Sequence, residues 1–261
     1  MKYLIGCVVL FLVSIHSMAQ EKKDFMRYEY SLTFKPYDVK VMPDSFPITE
    51  KFYLDIDGSN SVFVSDLSYS EFVSDITEEE YTGKDSRVTW LVTKDSKQML
   101  LYEVVNYLDF YKVKQPLNLI QWTISSEIED YHGMKVQKAT GELSGRIWTV
   151  WFTTEMAIIE GPYKFKNLPG FVVKAEDSNQ DYVFEFTGSM RVNNYWVEMG
   201  EYYKYKEITD KQLKRIKTLN ANKSFMQVIQ ERGGKLMNDD KEPSDFMTKK
   251  FGKEPNPIEF Y

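Results

Sequence analysis

Residues 25–34 read FMRYEYSLTF, with apolar side chains at every second position. The apolar positions are Met26, Tyr28, Tyr30, Leu32 and Phe34. Because successive side chains of a β-strand point to opposite faces, this alternation predicts a strand with one buried face. Residues 52–58, FYLDIDG, repeat the pattern and end at a glycine. The sequence therefore predicts a sheet built from half-buried strands.

Further segments rich in Val, Ile, Thr, Tyr, Phe and Trp extend this sheet. They are Ser61–Ser65, Val88–Thr93, Met99–Lys112, Gln121–Ser125, Lys135–Ala139, Arg146–Thr153, Phe171–Ala175, Asp181–Thr187 and Tyr195–Lys206. Short turn sequences separate them at 94–97, 140–145 and 177–180, and links this short join only antiparallel neighbours. We therefore expect a mainly β fold, a curved antiparallel sheet or half-barrel.

One segment, Thr209 to Arg232, breaks the period of two. Its apolar residues follow helical spacing, Thr209 with Gln212 forms a capping-box pattern, and residues 233–234 are both glycine. The sequence NAN at 220–222 allows a division into two helices. We expect this C-terminal helical segment to pack on one face of the sheet. Its opposite face is basic and is interpreted either as solvated or as a contact with anionic lipid; a loose tail is expected from about residue 238.

Charge and composition limit the functional classes. The 261-residue chain has 33 Lys and Arg against 39 Asp and Glu, a net charge of -6, with 43% hydrophobic and 15% aromatic residues. This composition is globular, and the acidic balance disfavours a nucleic-acid binder, which needs a basic patch. No strong linker divides the chain, so residues 20–261 are expected to form a single domain.

The first nineteen residues resemble a signal peptide. Lys2 precedes an apolar run from Leu4 to Val13, and residues 17–19, SMA, suit cleavage between Ala19 and Gln20. The run is too short to span a bilayer, and no later stretch is long enough, so no transmembrane span is expected in the mature chain. The sequence predicts export to the periplasm or the outside, with no lipid anchor because Cys7 lacks a lipobox.

Cleavage there would leave no cysteine and one histidine, His132. Such a chain lacks disulfides, thiolate nucleophiles and the usual zinc ligand sets. His132 lies in DYHG, a turn-like context, and no nucleophile-elbow, P-loop or dinucleotide-binding pattern occurs. Asp55-x-Asp57-Gly58 is the one fragment near a calcium pattern and is interpreted as a strand-end turn. We expect no cofactor, no metal and no catalytic residues that the sequence can identify.

Three stretches stand out: GRIWTVWFT at 145–153, GPYKFKNLPGF at 161–171 and NPIE at 256–259. Together with the strand at 131–139 they resemble the GLPGLI family, secreted proteins of Bacteroidetes-type bacteria. The chain departs from the family pattern at Asn167, at Phe171 and Val172, at Tyr163, and at Val136, where many members have cysteine. The resemblance implies a location and a fold, and no reaction.

The central stretch has two interpretations. Leu168-Pro169-Gly170-Phe171 predicts a type II turn with positive φ at the glycine, and Asn167 tolerates a left-handed conformation. The loop is either a rigid ligand or partner site that presents Lys164 and Lys166, or a corner that folds the Trp148 strand back on the sheet. The residues of this candidate loop are Gly161, Pro162, Tyr163, Lys164, Phe165, Lys166, Leu168, Pro169 and Gly170.

Trp148 and Trp151 lie three apart on one predicted strand, so they point to opposite faces. One is expected in the core, and the other is a candidate for lining a groove. The leading functional hypothesis is a non-catalytic envelope protein that holds an apolar ligand or a protein partner in a cavity between sheet and helix. Two alternatives stay open. One is a hydrolase that uses paired carboxylates, Glu155 with Glu160 or Glu127 with Glu129; the other is an assembly protein that pairs through an exposed edge strand.

Overall fold

The computed structural model describes residues 21–36, 46–106, 108–198, 204–234, 248 and 256–260. Within these ranges, twelve strands form one open sheet in the order β12-β6-β5-β4-β3-β2-β1-β11-β10-β9-β8-β7. The strands are β1 (Lys22–Phe34), β2 (Ile48–Asp57), β3 (Asn60–Ser65), β4 (Trp90–Lys94), β5 (Met99–Val105), β6 (Asp109–Gln115), β7 (Thr123–Tyr131), β8 (Met134–Leu143), β9 (Arg146–Thr153), β10 (Phe171–Asp177), β11 (Tyr182–Tyr195) and β12 (Lys206–Ile208). The helices are α1 (Asp66–Thr77), α2 (Asp210–Asn220) and α3 (Phe225–Glu231).

The alternating stretch at 25–34 forms most of β1, which lies in the middle of the sheet. It pairs antiparallel with β2 on one side, with Tyr30 opposite Phe52. On its other side it pairs antiparallel with β11, with a β-bulge between Glu29 and Tyr30. The predicted mainly β fold is confirmed, and the sheet is open rather than closed into a barrel. One detail differs from an all-antiparallel sheet, because β12 runs parallel to β6.

The larger core lies on the concave face of the sheet. Phe63 on β3 and Phe184 on β11 are separated by two intervening strands, yet their ring centroids are 6.0 Å apart. Three strand spacings in a flat sheet would separate their backbones by about 14 Å, so the sheet curves with this face inward. Tyr30, Phe52 and Trp148 are fully buried in the same cluster, and Leu213 attaches α2 to it.

A smaller apolar cluster lies on the opposite, convex face. It joins Val62 and Val64 of β3 to Tyr69 and Phe72 of α1. Beneath it the guanidinium of Arg27 donates two hydrogen bonds of 2.7 Å to the Asp55 carboxylate. The rings of Tyr53 and Tyr69 lie against that guanidinium, at 3.8 and 4.2 Å. Both faces of the central strands are therefore covered.

Both C-terminal helices begin at the capping boxes that their sequences encode. Thr209 and Gln212 cap α2 reciprocally, and Ser224 and Gln227 cap α3. The break between the two helices falls at residues 221–224, as the sequence NAN allows. After α3, Gly233 adopts a positive φ of 76° and ends the helical segment. The predicted helical segment and its division are confirmed.

Two predicted strands differ from the structure, and one helix was not predicted. The stretch Met99–Lys112 is a hairpin rather than one strand, because Asn106 adopts a left-handed φ of 56° between β5 and β6. The stretch Tyr195–Lys206 is not one strand either, since β11 ends at Tyr195, residues 196–198 are not in a strand and β12 begins at Lys206; residues 199–203 lie outside the described ranges. Residues 66–77, which were not predicted to be helical, form α1, with the Ser65 side chain accepting from the Ser68 amide.

The two ends of the chain differ in what is described. The predicted signal peptide and its cleavage site at Ala19 and Gln20 lie outside the described residues. Part of the predicted loose tail also lies outside them, but its last part is packed: Asn256, Ile258 and Glu259 are buried. No helix within the described ranges has the length and apolar character needed to cross a membrane.

Candidate functional site

The loop between β9 and β10 lies inside the concave face. Tyr163, Lys164, Phe165 and Leu168 are each at most 3% exposed, whereas Asn167 and Pro169 are exposed. The Phe165 ring packs 4.7 Å from Trp148, between centroids. Across the cavity of the half-barrel, Tyr163 packs against Trp90 of β4 at 4.6 Å. The loop therefore fills the space between β9 and β4, which lie in opposite halves of the sheet.

Arg146, at the start of β9, binds the C-terminal segment. Its Nε and Nη2 donate to the Pro257 carbonyl at 3.0 and 2.7 Å, and Nη2 also donates to Asn256 Oδ1 at 2.5 Å. Nη1 donates to the carboxylate of Asp177 at 2.8 Å. Asn256 in turn donates from Nδ2 to the Lys35 carbonyl at 2.8 Å. The donors of this buried arginine are thus satisfied by Asp177 and by the C-terminal residues Asn256 and Pro257.

Glu259 connects the same segment to the loop. Its carboxylate accepts from the Tyr163 hydroxyl at 2.5 Å, from the Lys164 ammonium, and from the Ser144 hydroxyl at 3.2 Å. Burial alone would raise the pKa of Glu259, but the Lys164 charge and these hydrogen bonds outweigh it and hold the pKa below its ordinary value. We call Arg146, Tyr163, Lys164, Asn256 and Glu259 the clasp. All three stretches singled out in the sequence contribute to it.

A second buried ion-pair cluster anchors the start of the loop. The Glu160 carboxylate forms ion pairs with the ammonium groups of Lys94 at 2.7 Å and Lys166 at 2.5 Å. It also accepts a hydrogen bond from the Ser61 hydroxyl at 3.1 Å. Lys94 also donates to the Gly161 carbonyl at 2.6 Å. Burial lowers the pKa of Lys94, although Glu160 opposes this shift. The charges of the two lysines lower the pKa of Glu160 despite its burial, so this carboxylate stays ionised and paired with both lysines.

The backbone of the loop matches one of the two predicted conformations. Asn167 adopts a left-handed φ of 67°, as predicted. The prediction of a positive φ at Gly170 is wrong, because this glycine does not adopt a positive φ. Gly170 is required instead by close packing, because a Cβ there would lie 2.3 Å from the Thr153 carbonyl oxygen. Tyr163 has a φ of 49°, an uncommon and strained conformation for a bulky residue, which its ring packing and its bond to Glu259 maintain.

Seven of the nine candidate loop residues are buried: Gly161, Pro162, Tyr163, Lys164, Phe165, Leu168 and Gly170. Of the other two, Lys166 is 19% exposed but paired with Glu160, and Pro169 is exposed. This geometry is that of the corner, the second interpretation of the loop. Trp148 is fully buried in the core, and Trp151 lies on the other face of β9 beneath the ammonium groups of Lys138 and Lys174, at 5.5 and 4.6 Å from its ring.

The remaining candidates are not brought together. Glu155 and Glu127 are exposed, Glu160 is engaged by two lysines, and Glu129 pairs with Lys138. His132 is exposed in the two-residue turn between β7 and β8, with a φ of 51°. Asp55 is buried against Arg27, and Gly58 turns the chain from β2 to β3. Among the described residues, no group of three or more His, Cys, Asp or Glu is placed to hold a metal ion.

A different region offers space for a ligand. On the convex face, a cavity of about 340 Å³ lies between α1 and strands β4 to β6. Its walls are mostly apolar, and we call it the groove. It is lined by Val64, Phe72, Leu91, Tyr102, Val104, Phe110, Val197 and Tyr205, with Ser68, Glu71, Asp85, Ser86, Val88, Thr89 and Trp90 at its margin. Tyr205 packs edge-on against Tyr102 and Phe110, at 4.9 and 5.5 Å between ring centroids.

The concave face contains a smaller cavity of about 240 Å³, next to the clasp and α2, with more charged side chains in its lining. Its polar walls are engaged in internal contacts. Glu103 accepts from the Thr89 hydroxyl at 2.9 Å and from Lys217 at 3.4 Å. Glu259 and Asn256 belong to the clasp. Glu103, Asn256, Lys217 and Glu259 are thus engaged within the fold, whereas Arg87 at the margin of this cavity is exposed.

The groove was not predicted because α1 was not predicted. Residues 65–77, SDLSYSEFVSDIT, carry a serine cap and apolar residues at Tyr69, Phe72 and Ile76, which is helical spacing. These signals were available, but serines and β-branched residues weaken the helix propensity of the stretch. The sequence predicts an apolar cavity between the sheet and the C-terminal helical segment, whereas the groove lies on the other face of the sheet, beside α1.

Comparisons with known proteins give a fold relationship. No protein-family model matches the chain, and a search of curated proteins gave no match. Among solved structures the chain is similar to PNGF-II in a C2 and in a P21 crystal form, with TM-scores of 0.52 and 0.50 and 13% identity. The similarity covers 74% of this chain and 32% and 33% of the PNGF-II chain, so this chain spans about a third of its length. At this identity the similarity concerns the fold alone.

Proposed function

We propose that this chain is an exported, non-catalytic binding module that holds an apolar ligand in the groove beside α1. Export is supported by the signal-peptide pattern of residues 1–19, and the resemblance to the GLPGLI family points to the cell envelope. The observation that carries the binding function is the groove itself, with about 340 Å³ of space and largely apolar walls. Small-molecule sites are typically concave and mostly apolar, with a few polar groups that orient the ligand.

The chemistry of the remaining candidates favours binding over catalysis. Glu155, Glu160, Glu127 and Glu129 do not form a facing pair in a cleft, which an acid–base mechanism on sugars requires. The buried charges of the clasp and of the Glu160 cluster are neutralised by partners that belong to the fold. These groups are committed to holding the loop and the C-terminal segment in place.

A titration with N-phenyl-1-naphthylamine, a neutral dye that fluoresces in apolar surroundings, tests the proposal. We expect saturable binding with a stoichiometry of one. The variant Val104→Trp should weaken it at least about tenfold, because the indole fills the groove from its half-exposed wall and replaces the ligand's apolar contacts.

Ile147→Trp is the matched control, since Ile147 is 49% exposed on β9 and does not line the groove. It should bind the dye as the wild type does. Dye binding that does not saturate, or equal binding by Val104→Trp and the wild type, would contradict a ligand site in the groove.

A second candidate function rests on the sheet edge. β7 is an edge strand with neither lysine nor proline, and its Ile124 and Ile128 are 45% and 66% exposed. Such an edge can pair with another strand. A bulge between Ile124 and Ile128 interrupts its pairing with β8 and makes it a poorer template, so we rank assembly second. Light scattering on wild type and Ile128→Lys tests it: assembly predicts a dimer that the lysine dissociates.

A further inference from the structure

The margin of the groove is negatively charged. Glu71 of α1 and Asp85, in the segment before β4, both line it, and both are exposed to solvent. Burial raises the pKa of Glu71, and the carboxylates of Asp75 and Asp85 raise it further. The pKa of the neighbouring Tyr81 is raised by burial and then by Glu71, Asp85 and Asp66. One end of an apolar groove therefore lies in the field of several carboxylates.

The described part of the chain does not neutralise these two charges. Neither Glu71 nor Asp85 forms an ion pair with a lysine or arginine of the described residues. Lys84 and Arg87 are close in sequence to Asp85 but pair with neither carboxylate, and Arg87 lines the cavity on the other face. This differs from the clasp and the Glu160 cluster, where every buried charge has a partner.

The interior of the groove suits the apolar part of a ligand. Phe72, Tyr102, Phe110 and Tyr205 line it with aromatic rings. Aromatic side chains provide a large apolar contact area. An anionic amphiphile would meet repulsion from Glu71 and Asp85 at the mouth, and a neutral one would gain nothing from them.

We infer that the groove binds a small amphiphilic amine, with its apolar body among Leu91, Tyr102 and Val104 and its ammonium group beside Glu71 and Asp85. This inference rests on the proposed function, because it names the chemistry of the ligand for the same groove. It commits the site to one charge class among apolar ligands of similar size.

Three probes with the same eight-carbon chain test it: octylammonium, octan-1-ol and octanoate, each competing with N-phenyl-1-naphthylamine at low ionic strength. Octylammonium should displace the dye at concentrations about fivefold lower than octan-1-ol, the factor expected for a contact with exposed carboxylates, and octanoate should be the weakest. Added salt should reduce the advantage of the amine, because screening weakens exposed charges.

The double variant Glu71→Gln with Asp85→Asn should remove the advantage of octylammonium over octan-1-ol. Glu127→Gln, an exposed acid on β7 far along the sheet, is the matched control and should leave it intact. If the neutral or anionic probe competes as well as the amine, or if the double variant keeps the preference, the inference is overturned while apolar binding stands. If neither the dye nor any probe binds, the proposed function fails, and the inference fails with it.

Discussion

The clasp and the groove lie on opposite faces of one sheet and use charge in opposite ways. In the clasp, Arg146 and Lys164 are buried against Asn256 and Glu259, and each charge has an opposite charge beside it. At the groove, Glu71 and Asp85 are exposed and have no ion-pair partner among the described residues. The residues that stand out in the sequence build the clasp, whereas the space for a ligand is formed by less distinctive residues. The conspicuous motifs contribute to contacts that hold the fold together, and our proposal places the ligand where the charges have no ion-pair partner.

The largest expected effect comes from breaking the clasp at its buried ion pair. Lys164→Met leaves the Glu259 carboxylate buried without its counter-charge, so the free energy of unfolding should fall by about 3–5 kcal/mol. Denaturant titration followed by tryptophan fluorescence measures it. Adding Glu259→Gln in the same chain should restore part of the loss, because the uncompensated charge is then gone. A loss below about 1 kcal/mol in the single variant would mean that the pair is not buried as described.

A smaller effect is expected from the amide of the clasp. Asn256→Ala removes the acceptor for Arg146 and the donor to the Lys35 carbonyl, which leaves buried polar groups unsatisfied. We expect a loss of about 1–3 kcal/mol in the free energy of unfolding. Asn179→Ala, at an exposed turn, is the matched control and should stay within about 0.5 kcal/mol of wild type. Equal losses in both variants would contradict a specific role for the C-terminal segment.

The contribution of Glu259 to stability should depend on pH. The pKa of Glu259 is lowered in the folded state, so its contribution is present above the pKa of the unfolded chain and is lost as pH falls toward the folded value. The difference in unfolding free energy between wild type and Glu259→Gln should therefore shrink on acidification, by at most about 1.4 kcal/mol per pH unit for one proton. Unfolding curves between pH 7 and the acid limit of folding check this. A difference that grows on acidification has the wrong sign for the clasp.

The smallest effect is expected at the carboxylates proposed for a hydrolase. Glu155 is exposed and Glu127 is exposed, so Glu155→Gln and Glu127→Gln should change the free energy of unfolding by less than about 0.5 kcal/mol. Dye binding in the groove should also be unchanged. If the wild type hydrolyses a member of a glycoside panel and either variant abolishes that activity, the hydrolase alternative would be supported.

Much of the fold could be predicted from the sequence, because local patterns determine it. The alternation at residues 25–34 identified the central strand, and Thr209 with Gln212 identified the start of α2. The clasp could not be predicted in this way. Lys164 and Glu259 are 95 positions apart, and nothing local shows that the loop turns inward to meet the C-terminus. The prediction for the Gly170 backbone was wrong for the same reason. A glycine is required at this position by its close contact with Thr153 of β9, which the local sequence does not show.

Hydrogen exchange of the backbone amides, with and without N-phenyl-1-naphthylamine, tests most directly whether holding the fold and holding a ligand belong to separate faces. We expect the dye to slow exchange in α1 and in the strands β4 and β5 that line the groove. We expect no change in the loop 161–170 or at residues 256–260. Slower exchange in that loop and at the C-terminal residues, with none in α1, would place the ligand in the clasp and contradict the account.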